Sequence, residues 1–148
     1  MQALQLPADY EISTDPDRLD VAVIHKFLAE DSYWSPGIPR SIVERAIENS
    51  LCFGVYYRAA QVGFARVVTD RSAFALLADV FILEPHRGKG LSKCLMHCVV
   101  EHGDLQGLRR FLLLTSDAHG LYRQFGFKEL GRPSRFMEVL RPDVYRSA

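Results

Sequence analysis

Asp79-Val-Phe-Ile-Leu-Glu-Pro-His-Arg-Gly-Lys-Gly-Leu-Ser-Lys93 reads as a strand, a glycine-bearing turn and the start of a helix. The run Phe74 to Leu83 is mostly apolar, as expected of a central strand covered on both faces. Gly88 and Gly90 let the backbone turn sharply and approach a ligand closely. The amides that follow belong to a helical first turn, lack intrahelical acceptors and point the same way. Added to the helix dipole, they make an anion site suited to phosphate. Arg87, Lys89 and Lys93 add positive charge, with no acid between His86 and Lys93. The turn does not fit the nucleotide loop G-x-x-x-x-G-K-[ST], and Lys93 breaks the dinucleotide fingerprint G-x-G-x-x-G. The plainer alternative is that the glycines only shape a loop and the charges are solvated.

That local charge stands out because the whole chain has none. Its 148 residues carry 18 Lys and Arg against 18 Asp and Glu. A protein built to hold nucleic acid or an anionic membrane normally shows a basic excess. No apolar run approaches the roughly 20 residues of a membrane span. The opening MQALQLPADYEIS has neither the basic nor the long apolar region of a signal peptide. With three cysteines and no secretory signal, a disulfide scaffold is not expected, and a reducing cytoplasm is the simplest compartment.

Outward from the turn, residues 1–148 read as one continuous domain without repeats or linkers. Tyr10 to Thr14 is a first strand. Asp15-Pro16-Asp17 signals a helix start, followed by the apolar stripe Leu19, Val23, Phe27 to about Glu30. Residues 31–39 form a loop by their Pro and Gly content. Ser41 and Glu44 have capping-box spacing at the head of a second helix. Leu51 to Tyr57 and Gln61 to Thr69 make a hairpin, and Asp70-Arg71-Ser72 turns into the central strand. Gly88 to His102 is a helix and Arg110 to Thr115 a strand buried on both faces. Asp117 caps a short helix that Gly126 ends. Strands near Phe127 to Leu130 and Ser134 to Leu140 complete the order β-α-α-β-β-β-α-β-α-β-β, a mixed α/β sheet with helices on its faces.

Arg87-Gly-Lys-Gly90-Leu-Ser92 resembles the R/Q-x-x-G-x-G/A signature of the GNAT superfamily of acetyl-CoA-dependent N-acetyltransferases. Ala118-His-Gly-Leu-Tyr122-Arg-Gln-Phe-Gly-Phe127 resembles that family's A-x-x-L-Y-x-x-x-G-F segment, in the right order. Ser92 departs from the usual Gly or Ala, and Thr115 from a common Asn. The resemblance implies a single GNAT-like domain with splayed central strands. It also implies direct acetyl transfer from the CoA thioester to a primary amine. The pantetheine arm would pair with the main chain around Val80, Phe81 and Ile82. The diphosphate would lie on Arg87, Gly88, Lys89, Gly90, Leu91, Ser92 and Lys93. Tyr122 matches the acid that protonates the departing thiolate, and is otherwise a core tyrosine.

Asp79 and Glu84 flank the acetyl site and are candidate bases for the amine, directly or through water; otherwise they are strand-end carboxylates. Tyr33 and Trp34, on a Pro/Gly loop, and Arg66, on an apolar strand, are candidates for the acceptor. Their plainer readings are loop packing for Trp34 and a solvent-facing position for Arg66. Cys94, Cys98 and His102 fall at i, i+4, i+8, too spread to close on one metal ion, so no metal is expected. No cysteine has a nucleophile's surroundings. The expected partner is a small-molecule or peptide amine, not nucleic acid or membrane, with a homodimer open through the C-terminal strand. A non-catalytic acyl-CoA-binding sensor and a protein-interaction domain are the competing classes. Neutral overall charge leaves the acceptor open.

Overall fold

The computed structural model describes residues 4–146. Five strands lie side by side in sequence order: β1 (Tyr10–Ser13), β2 (Leu51–Tyr57), β3 (Ala60–Thr69), β4 (Phe74–Ile82) and β5 (Arg110–Leu113). The first three pairings are antiparallel and the last is parallel. The parallel pair needs a crossover, supplied by α3 (Leu91–Glu101). Sheet and α3 close one core around Val55, Leu95, Met96 and Val99. On the opposite face, α1 (Val21–Lys26) and α2 (Arg40–Glu48) close a second core around Ile24, Val43 and Phe64. The α/β class and the helices on both faces are as the sequence implied.

Local chemistry differs from the sequence reading in instructive places. Asp15 caps only a single 3-10 turn, Pro16–Arg18. Asp20 caps α1 instead, accepting from the Val23 amide. After Lys26 the helix widens into π geometry over Phe27–Asp31, closed by the Ser32 amide on the Phe27 carbonyl. The capping box is not formed: α2 begins at Arg40, so Ser41 is already inside it and Glu44 pairs with Arg40. The cap of α4 (His119–Arg123) is likewise not Asp117; the Thr115 hydroxyl accepts from the Asp117 and Ala118 amides.

The largest departure is at the C-terminal end. The sheet ends at β5, and residues 127–140 carry no strand ladder. Their alternating pattern satisfies the sequence criterion for strands, but a ladder also needs a neighbouring edge. Residues 128–140 are exposed and none pairs with β5. Leu114, expected to be buried, is 79% exposed beside that open edge.

Candidate functional site: an amide-lined turn beside a split sheet

The split follows from the strand register. β4 and β5 pair over four rungs, from Phe74 with Arg110 to Leu77 with Leu113. β5 then stops while β4 runs on to Ile82, so Ala78–Ile82 leaves its β5-side edge unpaired. On its other side β4 holds to β3, but not evenly. Phe64 faces Phe81 and Arg66 faces Ala78, so β4 carries one residue more than β3 in that interval. The extra residue is a bulge at Asp79–Val80, and Asp79 adopts φ 56°, a left-handed conformation that aspartate tolerates better than most residues.

The bulge turns the Asp79 carboxylate into a junction. Arg66 Nε donates to Oδ2 at 2.8 Å and the Trp34 indole N–H donates to Oδ1 at 2.9 Å. Arg66 Nη1 reaches the Ser50 hydroxyl at 3.2 Å. Three residues that the sequence offered separately, Trp34, Arg66 and Asp79, are therefore one connected group. Nothing in their spacing announces this, because the group depends on the β3–β4 register. Trp34 also meets Tyr33 edge-on at 5.0 Å, and Phe27 behind it stacks on Phe81 at 4.1 Å. The Tyr33 hydroxyl accepts from the Ser116 amide at 3.0 Å, so the loop after α1 reaches the far side of the split.

The end of β4 enters a 3-10 turn, Glu84–His86, and then the glycine turn. Gly88 and Gly90 both have φ 79°, the left-handed region that glycine enters without strain. The first backbone bond of α3 is the Cys94 amide on the Gly90 carbonyl. Among the described residues, the amides of residues 88–93 have no acceptor. Six consecutive free donors at a turn and a helix start form an anion-binding concavity. The pocket over them holds about 200 Å³ and is closed across the split by Leu121. Arg87 spends Nε on the Ile82 carbonyl at 2.8 Å, which fixes the turn to the end of β4. His86 accepts or donates to the Tyr10 hydroxyl at 2.6 Å, tying the same turn to β1. The donor set, the open space and the positive flank fit a diphosphate.

Tyr122 is buried at the α4 edge of the site. Burial pushes its phenol up to about 12, and the nearby Tyr33 phenol and Asp117 carboxylate add to the shift. It therefore stays protonated through the physiological range. Glu84 is exposed, and its carboxylate has no partner among the described residues. The thiols are poor nucleophiles here: burial pushes Cys52 up to about 12 and raises Cys94 and Cys98 as well. His102 caps a turn by accepting from the Asp104 amide, apart from any cysteine chemistry. Among the described residues, no group of three or more His, Cys, Asp or Glu is arranged to hold a metal ion. No helix among them is long and apolar enough to cross a membrane.

The split sheet and the amide-lined turn make this an α/β domain with an anion site at the end of its central strand. Residues 48–129 match the acetyltransferase (GNAT) domain. A Gibberella zeae protein provisionally named an acetyltransferase is 34% identical, over 82% of this chain and 80% of its own. The crystal structure of a provisionally assigned GNAT-family acetyltransferase from Xanthomonas campestris pv. campestris superposes with a TM-score of 0.92. It is 50% identical and covers 95% of this chain and 99% of that one. An acetyltransferase from Clostridium acetobutylicum, crystallised with acetyl-CoA, shares the fold alone. Its TM-score is 0.66 at 14% identity, covering 88% and 94% of the two chains. The chain belongs to the GNAT acetyltransferases.

Proposed function

We propose that this enzyme transfers an acetyl group from acetyl-CoA directly to a primary amine. The observation that carries the reading is the run of six acceptor-free amides, residues 88–93, placed where the unpaired edge of β4 ends. The diphosphate binds those amides, with Arg87, Lys89 and Lys93 around it. The amide-bearing pantetheine arm lies along Val80, Phe81 and Ile82 as an added strand would. A main-chain amide at the Asp79–Val80 bulge steadies the thioester oxygen as it gains charge.

The amine nitrogen attacks the thioester carbonyl carbon, the carbon–sulfur bond breaks, and Tyr122 Oη gives its proton to the departing sulfur. An amine is mostly protonated at neutral pH, so the attacking nitrogen must first lose a proton. Glu84, exposed and without a partner among the described residues, takes that proton through water and passes it to solvent, and the second proton, which the nitrogen sheds once bonded to the carbonyl carbon, returns through water to the Tyr122 phenolate. Asp79, with each oxygen engaged, holds Trp34 and Arg66 as one wall of the acceptor side. Tyr33 and Trp34 supply the aromatic surface against which the acceptor rests. The three free thiols suit a reducing compartment, the cytoplasm.

The test is thiol release from acetyl-CoA across a panel of polyamines, amino acids, aminoglycosides and peptide amines, alongside thermal denaturation with acetyl-CoA. The expected result is a rise in Tm with acetyl-CoA and turnover with at least one amine class. Tight binding without turnover on any amine would point to a sensor, and absence of binding would remove the reading.

A further inference from the structure

We infer that Tyr33 and Trp34 form a strap across the closed end of the split and set the length of acyl group the enzyme accepts, admitting acetyl or propionyl and rejecting longer chains. The inference rests on the acyl-transfer reading above. The last rung between β4 and β5 is Leu77 with Leu113. Just beyond it on β4, the Trp34 indole N–H donates to the Asp79 carboxylate at 2.9 Å. Just beyond it on the other strand, the Ser116 amide donates to the Tyr33 hydroxyl at 3.0 Å. Consecutive side chains of one loop are thus fastened to the two opposite lips of the split, close to the point where the strands part.

The strap is braced from behind. The Ser32 hydroxyl donates to the Leu28 carbonyl at 2.6 Å, the Ser35 amide to the Ser32 hydroxyl at 3.2 Å, and the Gly37 amide to the Ala29 carbonyl at 2.9 Å. Asp79 is itself pinned by Arg66, and Phe27, 6.2 Å from the Trp34 ring, stacks on Phe81 of β4. Tyr33 is nevertheless 56% exposed and Trp34 41%, which leaves bare aromatic surface at the split.

Direction follows from the two ends of the cleft. The diphosphate turn lies past Ile82, at the open end, so the pantetheine arm enters there and runs back along β4. With the thioester carbonyl at the Asp79–Val80 bulge, anything beyond the carbonyl carbon points toward the closed end, where the strap stands. One strand residue spans about 3.3 Å, so between bulge and strap there is length for a methyl or an ethyl group. A longer chain meets the Trp34 and Tyr33 rings, which touch edge-on at 5.0 Å and leave no passage between them. The Tyr122 phenol, raised first by burial, is raised further by the Tyr33 phenol, in keeping with a strap over the reacting end of the split.

Calorimetric titration with acetyl-, propionyl-, butyryl- and hexanoyl-CoA tests the strap without needing an amine. The wild type should bind the first two alike, lose roughly tenfold in affinity at butyryl-CoA and more at hexanoyl-CoA. Tyr33→Ala removes the ring together with its bond to Ser116, and should bring hexanoyl-CoA affinity to about that of acetyl-CoA. Tyr33→Phe keeps the ring and loses only the bond, and should narrow the wild-type ratio of the two affinities about threefold, because the bond is what holds the strap shut. A purely structural role for Tyr33 would weaken all four ligands together and leave that ratio where it was. Hexanoyl-CoA bound by the wild type as tightly as acetyl-CoA, or a ratio unchanged in Tyr33→Ala, overturns the inference while the acyl-transfer reading stands. A wild type that binds none of the four removes that reading itself. Should Tyr33→Ala not fold, Tyr33→Phe decides by the same ratio.

Discussion

Replacing Tyr122 by Phe deletes one oxygen and leaves the ring in place. The ring sits edge-on to Phe127 at 6.1 Å, a contact that Phe preserves. Tyr122 Oη makes no hydrogen bond among the described residues, so no satisfied bond is lost. Stability at pH 7 should therefore change by less than about 0.5 kcal/mol. The chemical effect should be larger. With its phenol pushed up to about 12, Tyr122 at pH 8 is protonated by about four decades over its phenolate, so the full population can donate. Losing a general acid costs roughly 10²–10⁴ in rate, and 10² corresponds to about 2.7 kcal/mol of barrier. The assay is kcat by thiol release with an amine found in the panel, and the dissociation constant of acetyl-CoA by calorimetry. At least a hundredfold loss in kcat is expected, with acetyl-CoA affinity within twofold. Turnover within threefold of wild type, or a loss fully accounted for by weaker binding, refutes the acid role.

Gly90→Ala forces a left-handed φ on a residue with a side chain, at about 1–2 kcal/mol, and puts a methyl beside the free amides. Acetyl-CoA affinity should fall at least tenfold, and wild-type affinity would remove the diphosphate site. Asp79→Asn keeps a residue that tolerates the turn but strands Arg66, and should cost about 2 kcal/mol, less than the roughly 3–5 kcal/mol of a fully buried pair. Denaturant titration of Asp79→Asn, Arg66→Met and the double variant should show losses that do not add. Tyr56 has a buried hydroxyl without a partner among the described residues, so Tyr56→Phe should leave Tm equal or higher. A clear fall in Tm would show that the hydroxyl is satisfied. Alkaline stability follows from Cys52 and Tyr122, whose groups ordinarily titrate near 9 and 10 and are both pushed up to about 12. The unfolded chain releases these protons first, so stability holds below pH 9 and declines from there to pH 12. Tyr122→Phe should flatten the part of that decline between pH 10 and 12.

The strands and the glycine turn were legible because each depends on local rules. Apolar runs mark β2 to β5, β1 shows apolar-polar alternation over Tyr10–Ser13, and two closely spaced glycines before an apolar helix could mean little else than a tight turn. Helix starts were legible only to within a few residues, because Asp15 and Asp20 are equally good caps and packing of Ile24 chooses between them. The wall made by Trp34, Arg66 and Asp79 was visible as three suspects but not as a unit, since residues 45 positions apart meet through strand register. Ser116 and Tyr10 gave no signal: one contributes a backbone amide and the other a single hydroxyl to a distant histidine. The last two strands failed for a different reason. Alternation describes a segment that can join a sheet, and says nothing about whose sheet.

The left-handed bulge also bears on redesign. Backbone geometry at position 79 favours Gly, Asn or Asp, while the guanidinium and indole beside it ask for a carboxylate. Aspartate alone meets both demands. A library aimed at new amines would waste its diversity there, whereas Tyr33 and Trp34 have no positive φ, so their backbone accepts other side chains at the cost of the bonds to the Ser116 amide and the Asp79 carboxylate. The bend in the central strand is thus a fixed post, and the aromatic loop is the part an engineer can move.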